Sequence, residues 1–239
     1  MDAVEARIGL FLAPGWQMRP GERAALEGVL AMTEPGIAIE LGTHRGGSLR
    51  RIASHHAHVH AFDLTSQVDQ ADFSNVTFHI GDSHQLLPGV LGQIEREGGN
   101  VTFALVDGDH SPTGVKRDVL DLLNSPAVRH GVIVLHDTGN IAVRRALAAI
   151  DYASFPKITD THLDFVPPLP ADGALAETWA GLGLLIIDSS HEGPGALPYV
   201  EVRRRQDWRE FVIDARRQSR RVAGITLRRL GLHPAQRRR

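Results

Sequence analysis

Asp63, Asp82, Asp107 and Asp137 each lie just past a short apolar run, in H-A-F-D, H-I-G-D-S, A-L-V-D-G-D-H-S and V-L-H-D-T. A carboxylate delivered at the end of a buried strand can accept hydrogen bonds from ligand hydroxyls or hold a cation. Another run, I-A-I-E-L-G-T-H-R-G-G-S over residues 37–48, ends in glycines, which leave backbone N–H groups open to a polar ligand. His110 follows Asp107 on the same segment, and an imidazole there can accept a proton near neutral pH. Together these residues can recognise a hydroxylated ligand and move a proton.

Bringing those segments to one edge requires strand and helix to alternate between them. Residues 22–32 place Leu26, Val29 and Leu30 at helical spacing, and Pro35-Gly36 stops the helix before a strand at 37–41. Further on, the patterning predicts helices at 48–54, 86–97, 114–123 and 141–150, and strands at 59–62, 76–80, 101–106 and 131–135. That alternation is the mark of an α/β fold, a parallel sheet with helices on both faces, whose carboxyl edge binds ligands. Residues 156–175, rich in Pro and Asp, read as a loop or lid, with 167–170 as a substrate cover. A late strand follows at 181–187, then one amphipathic helix over 208–230.

At 239 residues and 42% hydrophobic, the chain can bury one large core, expected over residues 1–200. There is no cysteine, which excludes disulfides and thiolate chemistry and fits a reducing compartment. No apolar run approaches the ~18 residues of a membrane span, and the first thirty residues lack a secretory pattern. The expectation is a soluble, cytoplasmic protein without a membrane partner. The net charge of −2 conceals a basic helical extension at 201–239, where 13 Arg face 4 acidic residues.

The glycine pattern is E-x-G-x-x-x-G-G at Glu40, Gly42, Gly46 and Gly47, a spacing unlike the G-x-G-x-x-G of nicotinamide dinucleotide sites. Gly42 suits the sharp turn off the strand, and Gly46 and Gly47 suit a ligand lying against the helix start; a plain strand-to-helix turn would look the same. Asp63, ending the next strand, could accept from both hydroxyls of a ribose. Asp82 and Ser83 stand where an adenine edge would lie, and both are equally good helix caps.

The ordered motifs E-L-G-T-H-R-G-G-S, F-D, G-D-S, V-D-G-D-H-S-x-x-G-V-K-x-D and G-V-I-V-L-H-D-T resemble the class I S-adenosylmethionine-dependent methyltransferases. The resemblance spans residues 36–147, about half the chain, and points to the branch with macrolide and sugar O-methyltransferases and cephalosporin-hydroxylase-like proteins. It implies a Rossmann-like, seven-stranded, mostly parallel sheet. Glu40, Gly42, Thr43, Gly46, Gly47 and Ser48 would hold the methionine part of S-adenosylmethionine, Asp63 its ribose, and Asp82 with Ser83 its adenine. Several members of the branch use a divalent cation. In that topology the strands ending at Val106 and Leu135 are neighbours about 4.8 Å apart, so Asp107 and Asp137 would project from equivalent positions. Two such carboxylates repel unless protonated or bridged by a cation, and oxygen ligation favours Mg²⁺. Asp109 or His136 could add a contact, and an imidazole would shift the preference toward a transition metal; alternatively both aspartates simply cap helices. In the resembled sugar methyltransferases a histidine in the D-G-x-H context is the general base, which makes His110 the catalytic candidate, with a loop-stabilising hydrogen bond as the other reading.

His56, His58 and His60 are expected on one strand face as structural residues. Trp179 and Trp208 could line an acceptor pocket or a core. The leading expectation is O-methylation of a small hydroxylated acceptor. Nucleic acid is disfavoured because the tail's arginines are interleaved with apolar residues and lack aromatic platforms. A non-catalytic cofactor-binding scaffold, with the tail contacting a second copy or a partner, is the third reading.

Overall fold

The computed structural model describes residues 16–168 and 179–198. Five strand-helix alternations occur where the apolar periodicity puts them: α1 (Pro20–Met32), β1 (Ile37–Leu41), α2 (Gly47–His55), β2 (His58–Asp63), β3 (Val76–Ile80), α3 (Ser83–Arg96), β4 (Val101–Val106), α4 (Pro112–Asn124), β5 (His130–His136) and α5 (Ile141–Ala148). β6 (Ile158–Val166) and β7 (Leu182–Asp188) complete a seven-stranded sheet in the order β3-β2-β1-β4-β5-β7-β6. Only β7 runs antiparallel to its neighbours, β5 and β6. The helices cover both faces: α1 and α2 bury Leu26, Val29, Leu30, Leu49 and Ile52 on one. On the other, α3, α4 and α5 bury Leu87, Leu91, Val119, Leu122 and Leu147.

Helix limits follow local chemistry. α4 starts at Pro112, and the Ser111 side chain caps it by accepting from the Gly114 N–H at 3.1 Å. α3 contains Pro88, which cannot donate to the carbonyl of His84 four residues back. That carbonyl instead accepts from Arg117 Nη2 at 2.7 Å, so the helix continues without an orphaned acceptor.

Residues 158–166, expected as loop or lid, form β6 instead. This is an edge strand with irregular register, and its Asp160, His162 and Asp164 break the apolar alternation that identifies a strand. Arg144 of α5 grips it through the Asp164 carboxylate and the Leu163 carbonyl. The expected helix at 208–230, Trp208 and the last residues of the 167–170 cover lie outside the described residues. His56 departs from the expected histidine face: it caps the end of α2 through Nδ1 and Ile52 O, 3.1 Å apart. His58 and His60 do share a face of β2, meeting Thr77 and His79 of β3 at 3.0 Å each. No described helix is long and apolar enough to cross a membrane.

Candidate active site at the carboxyl edge

The chain runs outward through β1, β2 and β3, then crosses back to β4 beside β1, so strand order reverses between β1 and β4. A crevice of about 770 Å³ opens beyond that reversal, the place where α/β sheets hold ligands. Gly42 forms its floor. Its φ is +89°, and a Cβ there would lie 2.1 Å from the Asp107 carbonyl oxygen, so only glycine lets β1 turn away from β4 at this point.

Of the residues expected at a cofactor, Gly42, Thr43, Gly47, Ser48, Asp63, Asp82 and Ser83 line the crevice. Asp63 accepts from the His44 N–H at 2.6 Å and the Thr65 N–H at 3.1 Å, which fixes its carboxylate and leaves lone pairs for a ligand. His44 itself sits at φ 46°, a left-handed conformation that directs its N–H to Asp63. Asp82 caps α3 by accepting from His84 N at 3.0 Å, and Ser83 Oγ donates to Asp118 at 3.3 Å, so capping and a place on the ligand wall coexist.

Glu40 and Gly46 do not reach the cavity wall. Glu40 is fully buried one layer behind it and accepts from Ser48 Oγ at 2.6 Å. Burial pushes its carboxyl up to about 8; the hydrogen bonds from Ser48 and Thr43 oppose the rise. The glycine pair also serves the protein before any ligand. A Cβ on Gly47 would strike the Trp16 backbone at 2.6 Å, and one on Gly46 would press Val68 at 3.1 Å. The segment carrying Trp16 and Met18 therefore lies over the start of α2 and walls the crevice.

The far end of the crevice holds Asp107, His110, His136 and Asp137. Register corrects one expectation here. Val106 pairs with Leu135, so the position across from Asp107 is His136, and Asp137 lies one residue further on. Asp137 returns to the site by adopting φ 55°, a strained conformation for a non-glycine residue. His136 Nδ1 lies 2.9 Å from Asp107 Oδ1 and 3.5 Å from Asp137 Oδ2. His110 Nε2 is 3.3 Å and 3.2 Å from the same two carboxylates. Repulsion between the aspartates is thus relieved by two imidazoles, a resolution beyond protonation or a cation. Burial alone would raise the Asp137 carboxyl, but His110 and His136 hold it at about 2. Asp107 is lowered for the same reason. In return, hydrogen bonds to Asp107 and Asp137 push His110 up to about 9, and His136 rises well above its ordinary value despite its burial.

Sequence spacing gives no sign that Glu22 reaches this end, and it leaves Trp179 open between an acceptor pocket and a core. Glu22 of α1 is buried, with one oxygen accepting from Arg19 N at 2.6 Å and the other from Gly181 N. Its carboxylate lies 3.8 Å from His136 Nε2, an ion-pair neighbour too far for a hydrogen bond. The acid sat three residues into a helix after Pro20, which signals a helix start and nothing about the crevice. Trp179, 53% exposed, stands edge-on to His110 with ring centres 5.2 Å apart and lines the cavity mouth. Asp109, by contrast, turns to Ser111, whose N–H it accepts at 2.7 Å.

Residues 39–138, which run from within β1 to just past β5 and include Asp63, Asp82, Asp107 and Asp137 of the crevice, match the model of a methyltransferase domain family. Over those residues the chain is similar to a methyltransferase domain, and its seven-stranded sheet has a Rossmann-like fold. An O-methyltransferase from Bacillus cereus, solved in complex with SAH, is similar in fold with a TM-score of 0.51 at 16% identity, over 77% of this chain and 87% of that one. Cofactor-bound Rv0187 from MTB superposes with a TM-score of 0.50 at 16% identity, over 77% of this chain and 88% of that one. No curated protein sequence matches the chain.

Proposed function

We propose that this chain moves the methyl group of S-adenosylmethionine to a hydroxyl of a small molecule, a sugar or natural product, with a divalent cation at the Asp107 end of the crevice. The observation that carries this reading is the division of one cavity into two chemistries. One end offers Asp63 and the Asp82-Ser83 wall, suited to ribose and adenine. The other gathers two carboxylates and two imidazoles beside an exposed tryptophan. A cavity of this size suits a small acceptor beside a nucleoside.

The residues fit both groups. Asp63 keeps free lone pairs, and backbone near Gly42 lies bare against the cavity. Asp107, His136 and Asp137 offer ligand atoms all within 4.8 Å of one another, and Asp137 Oδ1 is buried without a hydrogen-bond partner. When bound, S-adenosylmethionine supplies a methyl group on a sulfonium whose sulfur keeps the bonding pair as the new C–O bond forms. When bound, a cation supplies charge that makes an acceptor hydroxyl more acidic. The chain's own part is orientation: Asp63 fixes the nucleoside and Trp179 covers the acceptor, while His110 takes the hydroxyl proton only after losing the proton that its Nε2 shares with Asp107 and Asp137. His110 sits on the acceptor side of the cavity, between Trp179 and the carboxylates.

Transfer of labelled methyl from S-adenosylmethionine to a panel of sugars, polyketides and phenols, with RNA alongside and with or without chelator, tests this reading. Cation-dependent label in a small hydroxylated acceptor supports it. Label in RNA alone, or calorimetry showing no S-adenosylhomocysteine binding, overturns it.

A further inference from the structure

We propose that the Asp107-His136-Asp137 cradle prefers a first-row transition-metal cation over Mg²⁺, and that Glu22 is the residue that sets the His136 ring for it. The inference rests on the cation site proposed above and concerns which cation it takes. An all-oxygen donor set suits the hard Mg²⁺ ion, which also keeps much of its water, whereas one imidazole among two carboxylates suits Mn²⁺, Fe²⁺, Co²⁺ or Zn²⁺. Here the imidazole stands inside the set, and ligation would replace the proton that Nδ1 shares with Asp107. Register places His136 directly across from Asp107, the side chain is 8% exposed, and Nδ1 is 2.9 Å from Asp107 Oδ1.

The ring's other nitrogen faces Glu22. A ligating histidine generally has a carboxylate or carbonyl behind its second nitrogen, which fixes the ring's orientation. Glu22 is the carboxylate on that side, 3.8 Å from Nε2, and no hydrogen-bond partner meets that nitrogen. Glu22 is 3% exposed, and both its oxygens are clamped by backbone N–H groups, from Arg19 at the head of α1 and from Gly181 at the approach to β7. The acid therefore stays fixed while presenting its charge to Nε2, and Nδ1 is the atom left facing Asp107 and Asp137. Asp137 Oδ1, buried and without a hydrogen-bond partner, is a further donor atom at the same place.

The test uses the full chain stripped with chelator, with Co²⁺ as a spectroscopic probe. Visible d–d bands on titration, competition by Mg²⁺, and separate calorimetry with S-adenosylhomocysteine are recorded for the wild type, His136→Asp and Glu22→Gln. The expected result is Co²⁺ binding that survives a large excess of Mg²⁺. His136→Asp should lower the Co²⁺ over Mg²⁺ preference at least about tenfold, and Glu22→Gln should weaken Co²⁺ about 10- to 100-fold and shift its bands. Equal preference in wild type and His136→Asp would overturn the metal assignment. Unchanged Co²⁺ spectra and affinity in Glu22→Gln would overturn the positioning role. Intact S-adenosylhomocysteine binding alongside either failure leaves the methyltransferase reading standing, so the two can be told apart.

Discussion

Glu40→Gln should stabilise the cofactor-free protein, and the effect should grow with pH. Glu40 is 0% exposed, and burial raises its carboxyl from 4.5 to about 8. In the unfolded chain the group ionises near 4.5, so between that pH and about 8 the folded state holds the extra proton and stability falls as pH rises. Below 4.5 both states are protonated and the contribution vanishes. At pH 7 the difference of about 2.5 units corresponds to about 3 kcal/mol, and above pH 8 to about 5 kcal/mol. Glutamine keeps an acceptor for Ser48 Oγ, and Glu40 Oε2 has no partner in either form, so the amide adds little cost of its own. For a chain of this size the gain at pH 7 is a rise in Tm of about 6 to 12 °C. Asp118, raised by burial to about 6, contributes a slope of the same sign at lower pH, and the difference between wild type and variant cancels it. Urea unfolding at pH 5, 6, 7 and 8 measures the effect. Equal stability of the two proteins at pH 8, or parallel pH profiles, would refute the argument that a charge-averse carboxyl sits behind the crevice.

Asp63→Ala should weaken S-adenosylhomocysteine about 10- to 100-fold by calorimetry, the value of hydrogen bonds to a carboxylate, and unchanged affinity would remove the ribose role. Gly42→Ala should cost at least about 2 kcal/mol in chemical denaturation, since the left-handed conformation alone costs that order and the Asp107 carbonyl blocks the new methyl. Trp179→Ala should raise the acceptor KM about 2- to 10-fold while S-adenosylhomocysteine affinity stays constant; equal changes in both would mean the ring supports the crevice as a whole.

Local patterning was enough for most of the architecture. Each parallel strand is a short apolar run and each helix a 3.6-residue pattern, so β1, β3 and β4 occur at the residues expected of them. β6 escaped because an edge strand need not be apolar, and its charges mimic a loop. The residue types at the crevice were equally legible, since a carboxylate at the end of a buried strand has few purposes. What the one-dimensional chain could not hold was register and distance. That His136 and not Asp137 faces Asp107 depends on pairing across β4 and β5. That two imidazoles neutralise the aspartates depends on separations near 3 Å between residues 29 positions apart. Glu22 reaches the site only because α1 packs where β5 ends and β7 begins, a meeting of segments 159 residues apart that no periodicity encodes. Sequence chose the chemical groups; the fold set which of them share a charge, because electrostatic coupling depends on separation in space and not along the chain.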